Sequence, residues 1–348
     1  MFAQIIEKHL QKRTWLSWIL FPFSILYGFM QLLRRQIYTL LPALSYQSKV
    51  KIISIGNIIS GGSGKTPFTI FLAKYLQKKN KQVAISMRGY KGKYENTIQL
   101  IATRKEILKY ANDAGDEPYM VVTKLQNIPV IVGKNRKLAI KTLTTIYNDL
   151  DYIILDDSFQ HLQVKHDYDF VLFNQTNKIG NGFVLPAGLL REFLSALTCS
   201  DFIVYNGENR VPKFLTKYNK PIIKTSYQIN SFFDESGNVV SLKKLQKSSI
   251  ILLSGIGNPV SFEKTVQKAD LNFKKHFRFS DHCQYTFDNL QKVKNYLTKF
   301  EIDYVLTTEK DFSKLKFIDN LELPLVMLAL KVKLESGDYP ILETILNR

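Results

Sequence analysis

Gly56-Asn57-Ile58-Ile59-Ser60-Gly61-Gly62-Ser63-Gly64-Lys65-Thr66-Pro67 follows the run Val-Lys-Ile-Ile-Ser-Ile at 50–55, and this junction decides the fold. A β-branched run, a glycine-rich turn and a helix start, in that order, predict a strand that ends in a phosphate loop. Three glycines within four positions, Gly61, Gly62 and Gly64, let the backbone approach a ligand closely and turn successive N–H groups toward it. The helix that follows adds the positive end of its dipole. In such a loop Lys65 reaches the outer phosphates of a nucleotide as a point charge, and the Thr66 hydroxyl takes a place on Mg²⁺. The general pattern Gly-x-x-x-x-Gly-Lys-[Ser/Thr] is incomplete, because Ile59 stands where its first glycine belongs. The competing reading is a flexible Gly/Ser turn with a solvated lysine.

A chain of 348 residues is long for one compact core, so a large α/β domain with a smaller companion is expected. Lys and Arg number 48 against 30 Asp and Glu, a net charge of +18, which asks for an anionic partner. Nucleic acid, a membrane rich in anionic lipid and a phosphorylated substrate all answer that description. The lysines are dispersed, with no long basic tail and no nucleic-acid motif, so no nucleic-acid partner is expected. Cys199 and Cys283 show no metal spacing, which fits a reduced cytosolic setting without structural zinc.

Residues 16–33 carry no charge and are flanked by Lys12 and Arg13 before and by Arg34 and Arg35 after. A secretory signal would need a small-residue cleavage site, and none follows. A spanning helix needs roughly 20 apolar residues, and Pro22 interrupts this run. A helix buried on the domain is a further possibility. The preferred expectation is an interfacial helix pair, broken at Pro22, with Trp15, Trp18, Tyr27 and Tyr38 at headgroup depth and the flanking Lys12, Arg13, Arg34 and Arg35 on anionic lipid.

Beyond the loop, residues 67–79 form an amphipathic helix, and the strand at 83–86 runs parallel to the first if the crossover has the usual hand. Arg88-Gly89-Tyr90-Lys91-Gly92-Lys93 reads equally as a phosphate- or sugar-facing loop and as a solvated basic turn. Asp113, Asp116 and Glu117 sit where first-turn helix acids are favoured on dipole grounds. Asp151-Tyr152-Ile153-Ile154-Leu155-Asp156-Asp157 is an apolar strand ending in two carboxylates. In a phosphate-loop fold the strand beside the loop strand supplies an aspartate to Mg²⁺, directly or through water. Ser158-Phe159-Gln160-His161 follows at the same sheet edge. Strands then read at 168–173, 202–205 and 221–224, a turn leading into a helix at 184–192, and a β-hairpin across 227–242. A second α/β unit begins at 249. The alternation of strand and helix predicts a P-loop NTPase-like, doubly wound, mostly parallel sheet with a smaller C-terminal α/β domain and an N-terminal membrane-associating helical segment. The expected division is 1–46 for that segment, 47–225 for the kinase domain, 226–246 for a hairpin connector and 247–348 for the smaller domain.

These pieces resemble, in order and over nearly the whole chain, the tetraacyldisaccharide 4′-kinases of lipid A biosynthesis. The resemblance is carried by the loop with its own irregular first position, Arg88-Gly89-Tyr90, Gly115-Asp116-Glu117-Pro118, Gly133-x-x-Arg136 and Asp156-Asp157-x-Phe159-Gln160-His161. Leu185-Pro186-Ala187-Gly188-x-Leu190-Arg191-Glu192, Asp281-His282 and Thr308-Glu309-Lys310-Asp311 complete it. Ser63 replaces a threonine, Ser158 stands where glycine is frequent, and Lys91 follows Tyr90 where glycine is common.

The resemblance implies an ATP- and Mg²⁺-dependent kinase that phosphorylates the 4′-hydroxyl of an acylated glucosamine disaccharide phosphate. The expected place is the anionic cytoplasmic face of the bacterial inner membrane, bound peripherally. It further implies Asp116 as the base and His282 as its orienting or relaying partner, brought together by domain closure. Gly61, Gly62, Ser63, Gly64 and Lys65 would hold the phosphates. Thr66, Asp156, Asp157 and Glu117 would place the metal, and Tyr90, Arg136, Gln160 and His161 would position nucleotide or acceptor. The alternative is a nucleotide-switched membrane adaptor of the GTPase or partitioning-ATPase type; a guanine-specifying Asn-Lys-x-Asp is missing from the sequence.

Overall fold

A computed structural model describes residues 9–346 except 91, 110, 177–178, 281–282, 317 and 319–321. The chain divides into two compact units. The first holds the chain up to Ala114, then Val121–Ser226 and everything from Val332 on; the second holds Gly115–Met120 and Tyr227–Lys331.

The first unit opens with helix α1 (Trp15–Leu40). Next come β1 (Lys51–Gly56), α2 (Lys65–Lys78), β2 (Val83–Met87) and β3 (Gln99–Ala102). Helix α3 (Asp116–Lys124), which crosses the unit boundary, leads to β4 (Val130–Val132), α4 (Arg136–Ile146) and β5 (Tyr152–Asp156). Strands β6 (Tyr168–Asn174), β7 (Phe202–Asn206) and β8 (Ile222–Asp234) follow. Their order is β8-β7-β6-β1-β5-β2-β4-β3. The pairings β1 with β5 and β6, β2 with β4 and β5, and β7 with β6 and β8 are parallel; β3 on β4 is antiparallel. Every residue of β2, β4 and β5 is buried, as strands covered on both faces require. On one face Ile52, Ile153 and Leu155 pack with Ala139, Ile140 and Leu143 of α4. Strand β1 lies between β5 and β6, so the loop after Gly56 emerges at the point where the strand order reverses, the place where doubly wound sheets bind ligands.

The second unit has strand order β10-β9-β11-β12, with β9 (Ile250–Ser254), β10 (His276–Arg278), β11 (Tyr304–Thr308) and β12 (Leu325–Leu334). Helix α5 (Pro259–Gln267) contributes Phe262 and Val266 to one core cluster, whereas α6 (Phe287–Phe300) and α7 (Glu309–Leu315) contribute Leu290, Val293, Phe312 and Leu315 to another.

Two sequence expectations change. The N-terminal segment is one helix with Pro22 inside it, not a broken pair. Proline removes a single helical hydrogen bond, and packing holds the halves in line on both sides of it. Before Pro22, Trp18 and Phe21 lie on Phe183 with ring centroids 5.4 and 4.8 Å apart. After it, Ser24 Oγ accepts the Ala187 N–H at 2.8 Å. The strands read at 221–224 and 227–233 are one strand, β8, because Thr225 and Ser226 do not interrupt extended backbone. The second hairpin arm reduces to a single bridge, Phe233 to Val239, closed by a turn at 234–238.

Gly56 ends β1 against the chain that leaves β5. A Cβ there would meet Phe159 Cβ at 2.5 Å and Phe159 N at 2.7 Å. We therefore expect Gly56→Ala to cost about 2 kcal/mol or more in denaturant unfolding, the range of an overpacked core; an unchanged midpoint would show that β1 and the 157–160 turn can separate freely.

Candidate active site

The loop is built on glycine conformations. Gly61 and Gly64 have φ of 107° and 86°, and Gly64 is the left-handed N-cap of α2. Among the described residues the amides of 61–66 donate to no protein acceptor, which leaves a row of N–H groups at a helix N-terminus. The carbonyl side is braced. Fully buried Asn57 donates from Nδ2 to Ser63 Oγ at 2.8 Å and to Gly61 O at 3.4 Å, and Asn174 Nδ2 donates to Gly62 O at 2.7 Å. Asn57 Oδ1 is buried and has no partner among the described residues.

Strand β5 delivers its two acids in different ways. Asp156 is buried, and its carboxylate accepts the hydroxyls of Thr66 at 3.2 Å and Thr69 at 3.3 Å. Asp157 leaves the strand with φ of 51°, and its Oδ1 lies 3.5 Å from Lys65 Nζ and 3.0 Å from Arg191 Nη1. Burial alone would raise the Asp157 pKa; the two cations outweigh it and hold the carboxyl below its ordinary value.

Arg136 is buried and lies beneath this corner. Its guanidinium donates to Asp156 O at 2.6 Å and Ser86 Oγ at 3.1 Å, so it holds the end of β5 by the backbone. Burial lowers its pKa to about 10, which still leaves it cationic at neutral pH. His161 is pushed down to about 4, by burial first and by Arg136 next, so its imidazole is neutral at pH 7. Gln160 Nε2 donates to Asn57 O at 2.9 Å and to Glu192 Oε1 at 3.0 Å. Glu192 in turn takes a two-pronged bond from Arg35 of α1, at 2.9 and 3.0 Å. Tyr90 is exposed, with the Arg88 guanidinium 5.7 Å over its ring.

The structure thus gathers Lys65, Thr66, Asp156, Asp157, Arg136, Gln160 and His161 at one sheet edge. Asp116 and Glu117 belong to the second unit, where Asp116 Oδ2 lies 2.8 Å from Lys314 Nζ and Glu117 is exposed. His282 lies outside the described residues. No group of three His, Cys, Asp or Glu that could hold a metal occurs among the described residues. A cation beside Thr66 and Asp156 would therefore complete its shell from phosphate oxygens and water, the normal arrangement for Mg²⁺.

A family model described as tetraacyldisaccharide-1-P 4′-kinase, LpxK, matches residues 16–348. The chain belongs to this family. It is 34% identical over 347 residues to the tetraacyldisaccharide 4′-kinase of Halothermothrix orenii, covering 91% of this chain and 90% of that protein. To the one of Haemophilus influenzae it is 32% identical over 305 residues, covering 88% and 86%. A solved structure of LpxK from Aquifex aeolicus in complex with ATP has a TM-score of 0.77 and 27% identity, covering 95% of this chain and 99% of that one. The family expected from the motifs is therefore the family found, and the α/β fold with it. For an LpxK-family chain the sequence left Asn57, Thr69 and Glu192 without a role, and it set Arg35 among the flanking cations on anionic lipid, whereas Arg35 is buried on Glu192. Thr69 was findable, since it stands one helical turn after Thr66 on the same face of α2.

The Arg35–Glu192 pair is buried, so removing one partner strands the other. Arg35→Met is expected to lower stability by about 3 kcal/mol, and Arg35→Met with Glu192→Gln to recover at least half of that, as measured by denaturant unfolding. Equal losses for the single and double variants would show that the pair is not coupled.

Proposed function

We propose that the loop at 61–66, Asp156, Asp157 and Asp116 carry out phosphoryl transfer in this kinase. The reaction is that of its family: the γ-phosphoryl group of ATP passes to the 4′-hydroxyl of tetraacyldisaccharide 1-phosphate, a step of lipid A biosynthesis. The observation that carries the residue assignment is the meeting of unpaired loop amides, Lys65 and the Thr66–Asp156 contact at the end of β1. The amides and Lys65 hold the β- and γ-phosphates. Thr66 and Asp156 supply the metal position, with Asp157 and Glu117 in support; bound Mg²⁺ would neutralise charge that builds on the transferring group. Asp116 receives the proton of the acceptor hydroxyl, and His282 assists it. Arg136 and Gln160 act on the site through Asp156 and Asn57, while neutral His161 and exposed Tyr90 position nucleotide or acceptor.

The chain is further proposed to work at the cytoplasmic face of the inner membrane. Supporting this, α1 is long and apolar enough to cross a membrane by length and composition, and it exposes Trp15, Trp18, Phe23, Leu26 and Phe29. The net charge of +18 suits anionic lipid and a phosphorylated acceptor alike.

The test is transfer of labelled γ-phosphate from ATP to tetraacyldisaccharide 1-phosphate in detergent micelles with Mg²⁺. Lys65→Ala should lose on the order of 100-fold or more in kcat/KM. Asp116→Ala should lose about 100- to 10,000-fold in kcat while ATP binding stays near that of the parent protein. A Lys65→Ala protein with full transfer activity would overturn the loop assignment. ATP hydrolysis without any transfer to the disaccharide would favour a nucleotide-switched adaptor instead.

A further inference from the structure

Thr308-Glu309-Lys310-Asp311 belongs to the matching motifs, yet nothing in the phosphate site gives it work. In the second unit Asp311 is fully buried and its carboxylate collects three donors. Oδ2 accepts Gly255 N–H at 3.0 Å and the Thr308 hydroxyl at 2.6 Å; Oδ1 accepts the Tyr285 hydroxyl at 2.8 Å. Thr308 Oγ1 also caps α7 by accepting the Asp311 N–H at 3.2 Å. A buried carboxylate satisfied by three neutral donors is costly to move, because each donor would lose its partner. Asp311 therefore fixes α7 against both the turn after β9 and the segment at Tyr285.

Three residues along the same helix, and so on the same face, stands Lys314. Its Nζ lies 2.8 Å from Asp116 Oδ2 and donates to Cys283 O at 3.2 Å. Both partners of the ion pair are mostly shielded, with side chains 15% and 23% exposed. A solvent-exposed lysine pair is worth little. This one has a second acceptor and a buried anchor that limits where it can go.

We propose that Lys314 is a positioning residue for the proton acceptor of the transfer reaction, fixing the direction of the Asp116 carboxylate through Oδ2. The inference rests on the assignment of Asp116 as base. In the step, the acceptor O–H bond breaks and its proton passes to the Asp116 carboxylate. The acceptor oxygen bonds to the γ-phosphorus, and the bond from that phosphorus to the bridging oxygen breaks, releasing ADP. Lys314 acts through Asp116 and touches neither reacting atom.

The experiment is a double-variant cycle in the same micellar assay, with thermal unfolding followed in parallel. Lys314→Met is expected to lower kcat about 30- to 100-fold, within the range of an acid–base contribution, with KM for ATP and disaccharide each within about twofold. Lys314→Arg should recover most of the lost rate, and Lys314→Met combined with Asp116→Ala should be no slower than Asp116→Ala alone. Unchanged kcat in Lys314→Met, losses that multiply in the double variant, or a loss confined to KM for ATP would each overturn the proposal. Lys314→Gln repeats the cycle under the same criteria if the methionine variant does not fold. An Asp116→Ala protein of near-normal activity would instead remove the base assignment itself, whatever Lys314 does.

Discussion

The buried bond between Arg35 and Glu192 is the constraint on which the first unit depends, because it ties the N-terminal helix to the phosphate loop through a short series of polar contacts. Glu192 Oε1 is shared with the Gln160 amide, which also donates to Asn57 O. The Asn57 side chain then holds Ser63 and Gly61. Taking a guanidinium and a carboxylate out of water is expensive, and their attraction offsets that only when the remaining hydrogen-bonding capacity is satisfied. Here it is met by Gln160 and by Phe159 O, with the Phe159 ring 4.3 Å from the guanidinium carbon. Burial works against the charge on Arg35, and Glu192 more than compensates. Helix α1 is thereby part of the scaffold of the site rather than an appendage.

Two adjacent acids in β5 acquire unlike environments by a simple geometric route. Asp156, the last strand residue, turns inward onto threonine hydroxyls, whereas Asp157 adopts a left-handed backbone and turns toward Lys65 and Arg191. Arg136 holds the peptide between them from below. One carboxylate is thus matched to neutral donors, the other to resident cations, so the pair is separated in character without being separated in sequence.

What could be read from the sequence follows from how local each signal is. The loop, the helix after it and the acids of β5 lie in contiguous runs whose residue types are required by their own backbone, so they were legible. The parallel order of the strands was legible in kind, from buried β-branched runs alternating with helices. Arg35 and Glu192 meet across 157 positions, and nothing in either neighbourhood announces the other. Asn57 read as one letter of a loop because its work is done from a buried side chain. Pro22 misled for the opposite reason: its local preference is real, but contacts of Trp18, Phe21 and Ser24 with 183–187 exceed it. Family resemblance pointed to Asp116, and Lys314 appears beside it only once Asp311 has fixed α7 against Gly255 and Tyr285.

Helix α1 is built inside out. Its buried positions are Ser17, Ser24, Gly28 and Arg35, at spacings of seven, four and seven, while Ile19, Phe23, Leu26, Phe29 and Met30 are exposed. An ordinary surface helix docks by grease and is solvated by charge; this one buries only small and polar groups fully and keeps much of its grease outside. What ties the helix to the glycine-rich loop is thus a set of contacts separate from the apolar surface that the helix exposes.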